Sequence, residues 1–188
     1  MIIAGLDLET TGLDQAKGHR IIEIAMILYA FDPETGAHNL RGRYVQRINP
    51  ERAIDPDALA VHGITYEDVA YSPKWCEIAP KIVKLLSAVD VIVAHNGHGF
   101  DLPFLAAELL RVGQPVPDTL SVDTMLQARW ATPMGKVPNL GELCFACGVD
   151  YDSEKAHAAE YDVEVMLQCF FAAYKKGFIK LPILEKEV

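Results

Sequence analysis

Ile2-Ile3-Ala4-Gly5-Leu6-Asp7-Leu8-Glu9-Thr10-Thr11-Gly12 is an apolar run that ends in two carboxylates and a turn. Ile2 to Leu8 reads as a short strand. On a strand, residues i and i+2 share a face, so Asp7 and Glu9 leave the sheet together. Two like charges held side by side are costly unless a cation compensates them. Thr11-Gly12 then turns the chain away and leaves backbone groups near the carboxylates. Taken alone, the pair is more simply an acid pair at a solvated strand end.

Working outward, Ile21 to Phe31 is rich in Ile and aromatics and is followed by the turn Asp32-Pro33-Glu34-Thr35-Gly36. Arg41 to Ile48 returns with Arg41, Arg43, Val45 and Arg47 at period two. Three such runs joined by turn chemistry predict a meander. The second half alternates. Helical spacing covers Lys74 to Leu86, Leu102 to Val112, Asn139 to Ala146 and Ala159 to Tyr174. Val89 to Ala94 is a continuous apolar run, as in a buried parallel strand, and Leu120 to Val122 is a short strand. Strands first, then helix–strand alternation, predicts an α/β sheet of mixed strand direction.

The 188 residues suit one buried domain, expected over 1–176, with a tail at 177–188. No repeat or low-complexity tract interrupts it. The start reaches Asp7 without a basic region, which predicts no signal peptide. Ile21 to Phe31 is too short to span a bilayer and contains Glu23. No membrane association and a cytoplasmic location are therefore expected. A net charge of −9 argues against salt-resistant grip on a long duplex. It leaves room for a grip on a few nucleotides at a chain end. Cys76, Cys144, Cys147 and Cys169 are too few and irregular for a disulfide framework. Cys144-Phe145-Ala146-Cys147 has no second ligand pair after it and reads as helical packing.

Two further segments carry acids. Asp101 follows the strand and the Gly-rich bend His95-Asn96-Gly97-His98-Gly99-Phe100, beside a helix start. It reads equally as an N-cap. His157 and Asp162 flank the start of the last helix, a spacing that can aim both at one site. A surface histidine and a dipole-complementing acid fit the same residues.

Together, in this order, the three motifs resemble the DnaQ-like 3′–5′ exonucleases, in the subgroup with four acids and a histidine. That subgroup includes polymerase proofreading subunits and small standalone DNases and RNases. The resemblance covers roughly Ile2 to Tyr174, and Val61-His62-Gly63-Ile64-Thr65 and Val122-Asp123-Thr124 look like its secondary landmarks. It implies a ribonuclease H-like mixed sheet: a three-strand meander followed by parallel strands, with helices on both faces. By the same resemblance, Asp7 bridges two divalent ions, Mg²⁺ or Mn²⁺. Glu9 and Asp162 complete one metal site, Asp101 holds the second ion, and His157 is the general base. Histidine's ordinary pKa near 6.5 suits that task, and hard cations take oxygen ligands.

The implied activity removes nucleoside 5′-monophosphates from the 3′ end of single-stranded nucleic acid, DNA before RNA. The alternatives are an exoribonuclease and a polymerase-associated subunit, so a polymerase or other replication or repair partner is a further expectation. Thr10, Thr11, Gly12, His62, Asn96 and Phe100 are the expected substrate contacts. Phe100 would offer a face to a base or pack as a core Phe. One departure stands out: three residues, Gly97, His98 and Gly99, separate Asn96 from Phe100, where the family pattern has two. The two glycines are expected to absorb the extra residue, with His98 an exposed loop residue. Arg41, Arg43 and Arg47 would touch phosphates or decorate an edge strand.

Overall fold

The computed structural model describes residues 1–182. A five-stranded sheet runs in the order β3-β2-β1-β4-β5. β1 (Ile2–Thr10), β2 (Ile21–Phe31) and β3 (His38–Arg47) form the antiparallel meander. β4 (Val91–Ala94) and β5 (Leu120–Asp123) extend β1 on its other side in parallel. The carboxylate-bearing strand is thus the central one. β1 continues past Leu8 to Thr10, so Glu9 lies inside the strand and shares a face with Asp7.

Alternation along β1 divides the core. Ala4, Leu6 and Leu8 face α3 (Trp75–Ser87) and α4 (Asp101–Arg111), packing with Ile82, Leu86, Phe104 and Leu109. Ile3 faces the other way, toward α7 (Ala159–Lys175), where Val163, Met166, Leu167 and Phe170 are buried. Gly5 shares that second face. A Cβ there would stand 2.6 Å from Val163 Cγ1 and 2.8 Å from Leu167 Cδ1. The missing side chain is what lets α7 lie close to β1 and carry Asp162, the residue before Val163, toward Asp7 and Glu9.

The expected fold is therefore observed: mixed α/β, helices on both faces. Of four further short α-helices, three escape the sequence pattern or flank its landmarks, and the last is the one expected over Asn139 to Ala146. α1 (Pro56–His62) starts with Pro at its first position and ends on Gly63 in the left-handed conformation. α2 (Tyr66–Val69) opens on a Thr65/Asp68 capping box. α5 (Thr124–Gln127) is capped by Asp123, and α6 (Leu140–Cys147) by Asn139 with Glu142.

α6 packs on α7 through Leu143, Cys144 and Cys169, with the two thiols 3.5 Å apart. Both cysteines are wholly buried and all four are free. The start of the segment expected as a tail docks on the body: Ile179 is buried and Phe178 stacks on Trp130, centroids 4.7 Å apart. Residues 183–188 of that segment lie outside the described residues. Among those described, no helix is long and apolar enough to cross a membrane.

Candidate active site

The far end of β1 floors a cleft of about 530 Å³. Asp7 and Glu9 enter it from the strand, Asp101 from the first residue of α4, and Asp162 from the first turn of α7. His157 lines it from the loop before α7, held at a positive φ of 63°. Its backbone N–H donates to Asp162 Oδ2 at 2.9 Å. The structure thus brings all five residues to one cleft. Asp101 is not the N-cap of its helix; Phe100 holds that position, and Asp101 lines the cleft.

The electrostatics are those of crowded acids leaving water. Burial, then Asp101, Glu9, Asp162 and Glu23, push Asp7 well above the ordinary carboxylate range. Burial, reinforced by Asp162, Glu23 and Asp101, lifts Glu9 to about 8. Burial lifts Asp101 to about 7, against hydrogen bonds from its own amide and that of Leu8. Asp162 is raised by burial and pulled back by His157. Asp101 Oδ1 and Asp162 Oδ1 are buried with no hydrogen-bond partner. Unpartnered buried carboxyl oxygens are costly, and a hard cation would satisfy them and lower their pKa together. The donor set, all carboxylate oxygen, fits Mg²⁺ or Mn²⁺ better than Zn²⁺. As they stand, no three His, Cys, Asp or Glu side chains among the described residues are gathered closely enough to hold an ion. Mutual repulsion of the acids works against such closure.

The loop from β4 to α4 is fixed by Asp123 at the end of β5. Its buried carboxylate accepts from the N–H groups of Asn96 (3.1 Å), His98 (3.0 Å), Met125 (3.0 Å) and Leu126 (3.2 Å). The two glycines expected to absorb the extra residue of this loop take no left-handed turn. Asn96 takes the left-handed turn, φ 64°. The glycines supply room instead: a Cβ on Gly97 would meet that of Ala94 at 2.5 Å. His98 turns away, its Nε2 2.8 Å from Ser121 Oγ on β5.

The expected substrate contacts divide. Thr10, Gly12, His62, Asn96 and Phe100 line the cleft. Thr11 does not: it is wholly buried, its Oγ1 accepts from Arg20 N–H at 3.0 Å and lies 3.1 Å from His19 Nδ1. Those bonds make it a brace for the turn, correcting the expectation that its side chain meets substrate. His62 has both ring nitrogens engaged. Nδ1 accepts from Ile64 N–H at 3.0 Å, so Nε2 carries the proton and donates to the Thr10 carbonyl at 3.2 Å. Phe100 is half-buried against Phe104 while also lining the cleft. Arg43 and Arg47 are committed elsewhere, Arg43 to Glu160 and Glu164 and Arg47 to Glu23.

Three features were missed in the sequence. Glu23, directly across from Glu9 in the β1–β2 ladder, is a buried fifth carboxyl held by Arg47 Nε at 3.1 Å. Its signal was a lone acid inside the apolar run Ile21 to Phe31. His19 packs on Gly12 so closely that any side chain there would overlap its ring. Leu13, 83% exposed, and Val61 put apolar surface at the cleft mouth.

The RNase_T family, described as exonuclease, matches residues 4–170. The DNA polymerase III epsilon subunit of Haemophilus influenzae is 34% identical over 172 residues, 88% of this chain and 64% of that protein. The chain therefore spans a little under two thirds of that relative. The Rickettsia typhi subunit of the same name is 34% identical, covering 89% of this chain and 71% of its own length. Among solved structures, Escherichia coli exonuclease I in complex with a dT13 oligonucleotide superposes with a TM-score of 0.74 at 21% identity, over 92% of this chain and 40% of that one. Exonuclease X in complex with 5′ overhanging duplex DNA gives 0.66 at 24%, over 93% of both chains. One Escherichia coli exonuclease I–single-stranded DNA complex was solved in a zinc ion bound form.

Proposed function

The chain belongs to the RNase_T exonuclease family, and from that premise we propose that it is a two-metal 3′–5′ exonuclease that acts on single-stranded DNA and releases nucleoside 5′-monophosphates. One observation carries the reading: four carboxyls from three separate segments meet in one cleft, with two buried oxygens unpartnered.

Asp7, Glu9 and Asp162 would hold one Mg²⁺ or Mn²⁺ and Asp7 with Asp101 the other. Two such ions, when bound, neutralise the phosphate and stabilise the attacking and leaving oxygens. The remaining work falls to the chain itself. His157 takes the proton of the attacking water on a ring nitrogen, and Asp162 fixes its backbone. The Thr10–Gly12 turn, braced by His62, Thr11 and His19, presents backbone to the terminal nucleotide. Phe100, Leu13 and Val61 flank its base with apolar surface. Four free thiols, two of them 3.5 Å apart, suit a reducing cytoplasm.

The test compares linear and circular single-stranded DNA of one sequence, with Mg²⁺, with Mn²⁺ and with EDTA. We expect the linear strand to be consumed to 5′-mononucleotides and the circle to survive. Cutting of the circle, or full activity in EDTA, refutes the reading. A second reading, a proofreading module serving a polymerase, rests on the names of the curated relatives. It predicts weak activity alone that rises when a polymerase is added.

A further inference from the structure

Beyond the rim of the catalytic cleft lies a second cavity of about 410 Å³. The two share a wall. Gly18 and Arg20 line the second cavity and His19 the first; Arg52 and Ala53 line the second and Asp55 the first. Three arginines line the second cavity, Arg20, Arg52 and Arg111. Arg52 Nη1 and Arg20 Nη1 approach within 3.7 and 3.8 Å of the Cβ position that Gly18 lacks, so two like charges converge on one point.

Carboxylates offset these charges only in part. Glu108, 2% exposed, receives Arg111 in a two-point bond at 2.7 and 2.8 Å, and Arg20 Nη1 stands 3.6 Å away. Glu51, the other acid in the lining, is paired with Lys74. Arg52 makes one 3.3 Å bond to the Ala53 carbonyl and comes no nearer than 3.9 Å to Asp55. Glu108 therefore fixes the Arg111 guanidinium, the carbonyls of Gly18 and His19 hold Arg20 Nη1 at 2.7 and 3.0 Å, and Arg52 keeps donors to spare. In a chain of net charge −9, this is a preorganised cationic pocket beside an acidic one.

We propose that the Arg20–Arg52–Arg111 pocket is a phosphate subsite, taking an internucleotide phosphate of the substrate strand upstream of the 3′ end bound in the cleft. The proposal rests on the exonuclease reading. Planar guanidiniums match phosphate oxygens in geometry, and phosphate contacts position a strand without reading its sequence. A strand leaving the cleft over residues 18–20 and 52–55 meets this pocket next. An acidic enzyme thereby gains grip on a strand while the carboxylates at the scissile end stay free for cations.

The test is steady-state kinetics of wild type, Arg52→Gln and Arg52→Lys on a thymidine dinucleotide and a thymidine decanucleotide. Arg52 is chosen because it holds no buried partner. For Arg52→Gln, KM on the decanucleotide should rise about ten- to hundredfold, the weight of one charge-assisted contact, with kcat unchanged. KM on the dinucleotide, too short to reach, should not move, and Arg52→Lys should recover most of the loss. The slope of log KM against log salt should shrink by about 0.7 on the decanucleotide. Equal changes on both substrates, or none on either, overturn the proposal. So does inorganic phosphate that competes equally with both substrates through Arg52, which would mark a site for free phosphate. Anisotropy of a labelled decanucleotide on Asp7→Asn protein in EDTA separates the two failures. Wild type without turnover refutes the enzyme reading, whereas binding that is indifferent to Arg52 refutes the subsite.

Discussion

Replacing Glu9 by Gln should stabilise the metal-free protein at alkaline pH and leave it unchanged in acid. Glu9 is 8% exposed and its carboxyl is lifted from 4.5 to about 8 by burial and three neighbouring acids. Below 4.5 both folded and unfolded chains hold the proton, so the wild type and the variant differ little. Between 4.5 and 8 the unfolded chain releases it and the folded chain retains it. The unfolded state then binds fewer protons, and stability falls as pH rises. Above about 8 both are ionised and the full penalty stands. A shift of this size corresponds to a ceiling of about 5 kcal/mol. Relaxation of the neighbouring carboxyls reduces it, and we expect about 2–4 kcal/mol at pH 9. Urea unfolding in EDTA across pH 4.5 to 9 reads this directly as a midpoint difference of about 1–2 M that opens with pH. Saturating Mg²⁺ or Mn²⁺ should close the gap, because the ion stabilises the wild type more than the variant. A variant less stable than wild type at pH 9, or a gap independent of pH, would refute the account of a charge-crowded cleft.

Three other outcomes follow from particular contacts. His157→Ala should lower turnover about 10²–10⁴-fold while Mn²⁺ still raises the melting temperature as in wild type; loss of that metal effect would make His157 a ligand. Gly5→Ala should cost about 1–3 kcal/mol by overpacking and reduce activity further by lifting α7, with Val163→Ala in the same chain restoring both. An unaltered melting temperature would show that α7 does not press on β1 there. Asp123→Ala strands four backbone donors and should cost about 3 kcal/mol or more, with amide exchange of residues 96–98 speeding up; unchanged exchange would show that the loop holds itself.

The meander was legible because its apolar runs are long and closed by turn residues, and β4 because its run is continuously apolar. β2 appears at Ile21–Phe31, the limits its apolar run implies. The five residues gathered at the cleft were legible only together, because three short motifs recur in the order of a known family; each motif alone fitted a strand-end acid pair, a helix cap or a surface histidine. What was hidden is of two kinds. Helices of four or seven residues, such as α2 and α1, carry too little periodicity to register. Partnerships across the sheet depend on register, so nothing local to Glu23 could announce that it faces Glu9, nor that Arg47 would hold it. The same holds for Thr11, whose hydroxyl turned out to serve His19 and Arg20. The conformation of Asn96 was set by Asp123, 27 residues away in sequence.

The cleft is assembled from parts of unequal permanence. Asp7 and Glu9 belong to the middle strand of the sheet, which pairs with β2 along its whole length and with β4 over Ile3–Gly5. Their amides should exchange with solvent only through global unfolding. Asp162 and His157 hang on the opening turn of α7 and the exposed loop before it, joined by one backbone hydrogen bond. That half can open alone, at a fraction of the global free energy. Warming should therefore extinguish turnover some degrees before the sheet melts, reversibly. Divalent cations, by tying the α7 acid to the β1 acids, would couple the two halves into a single cooperative unit and bring the two temperatures together.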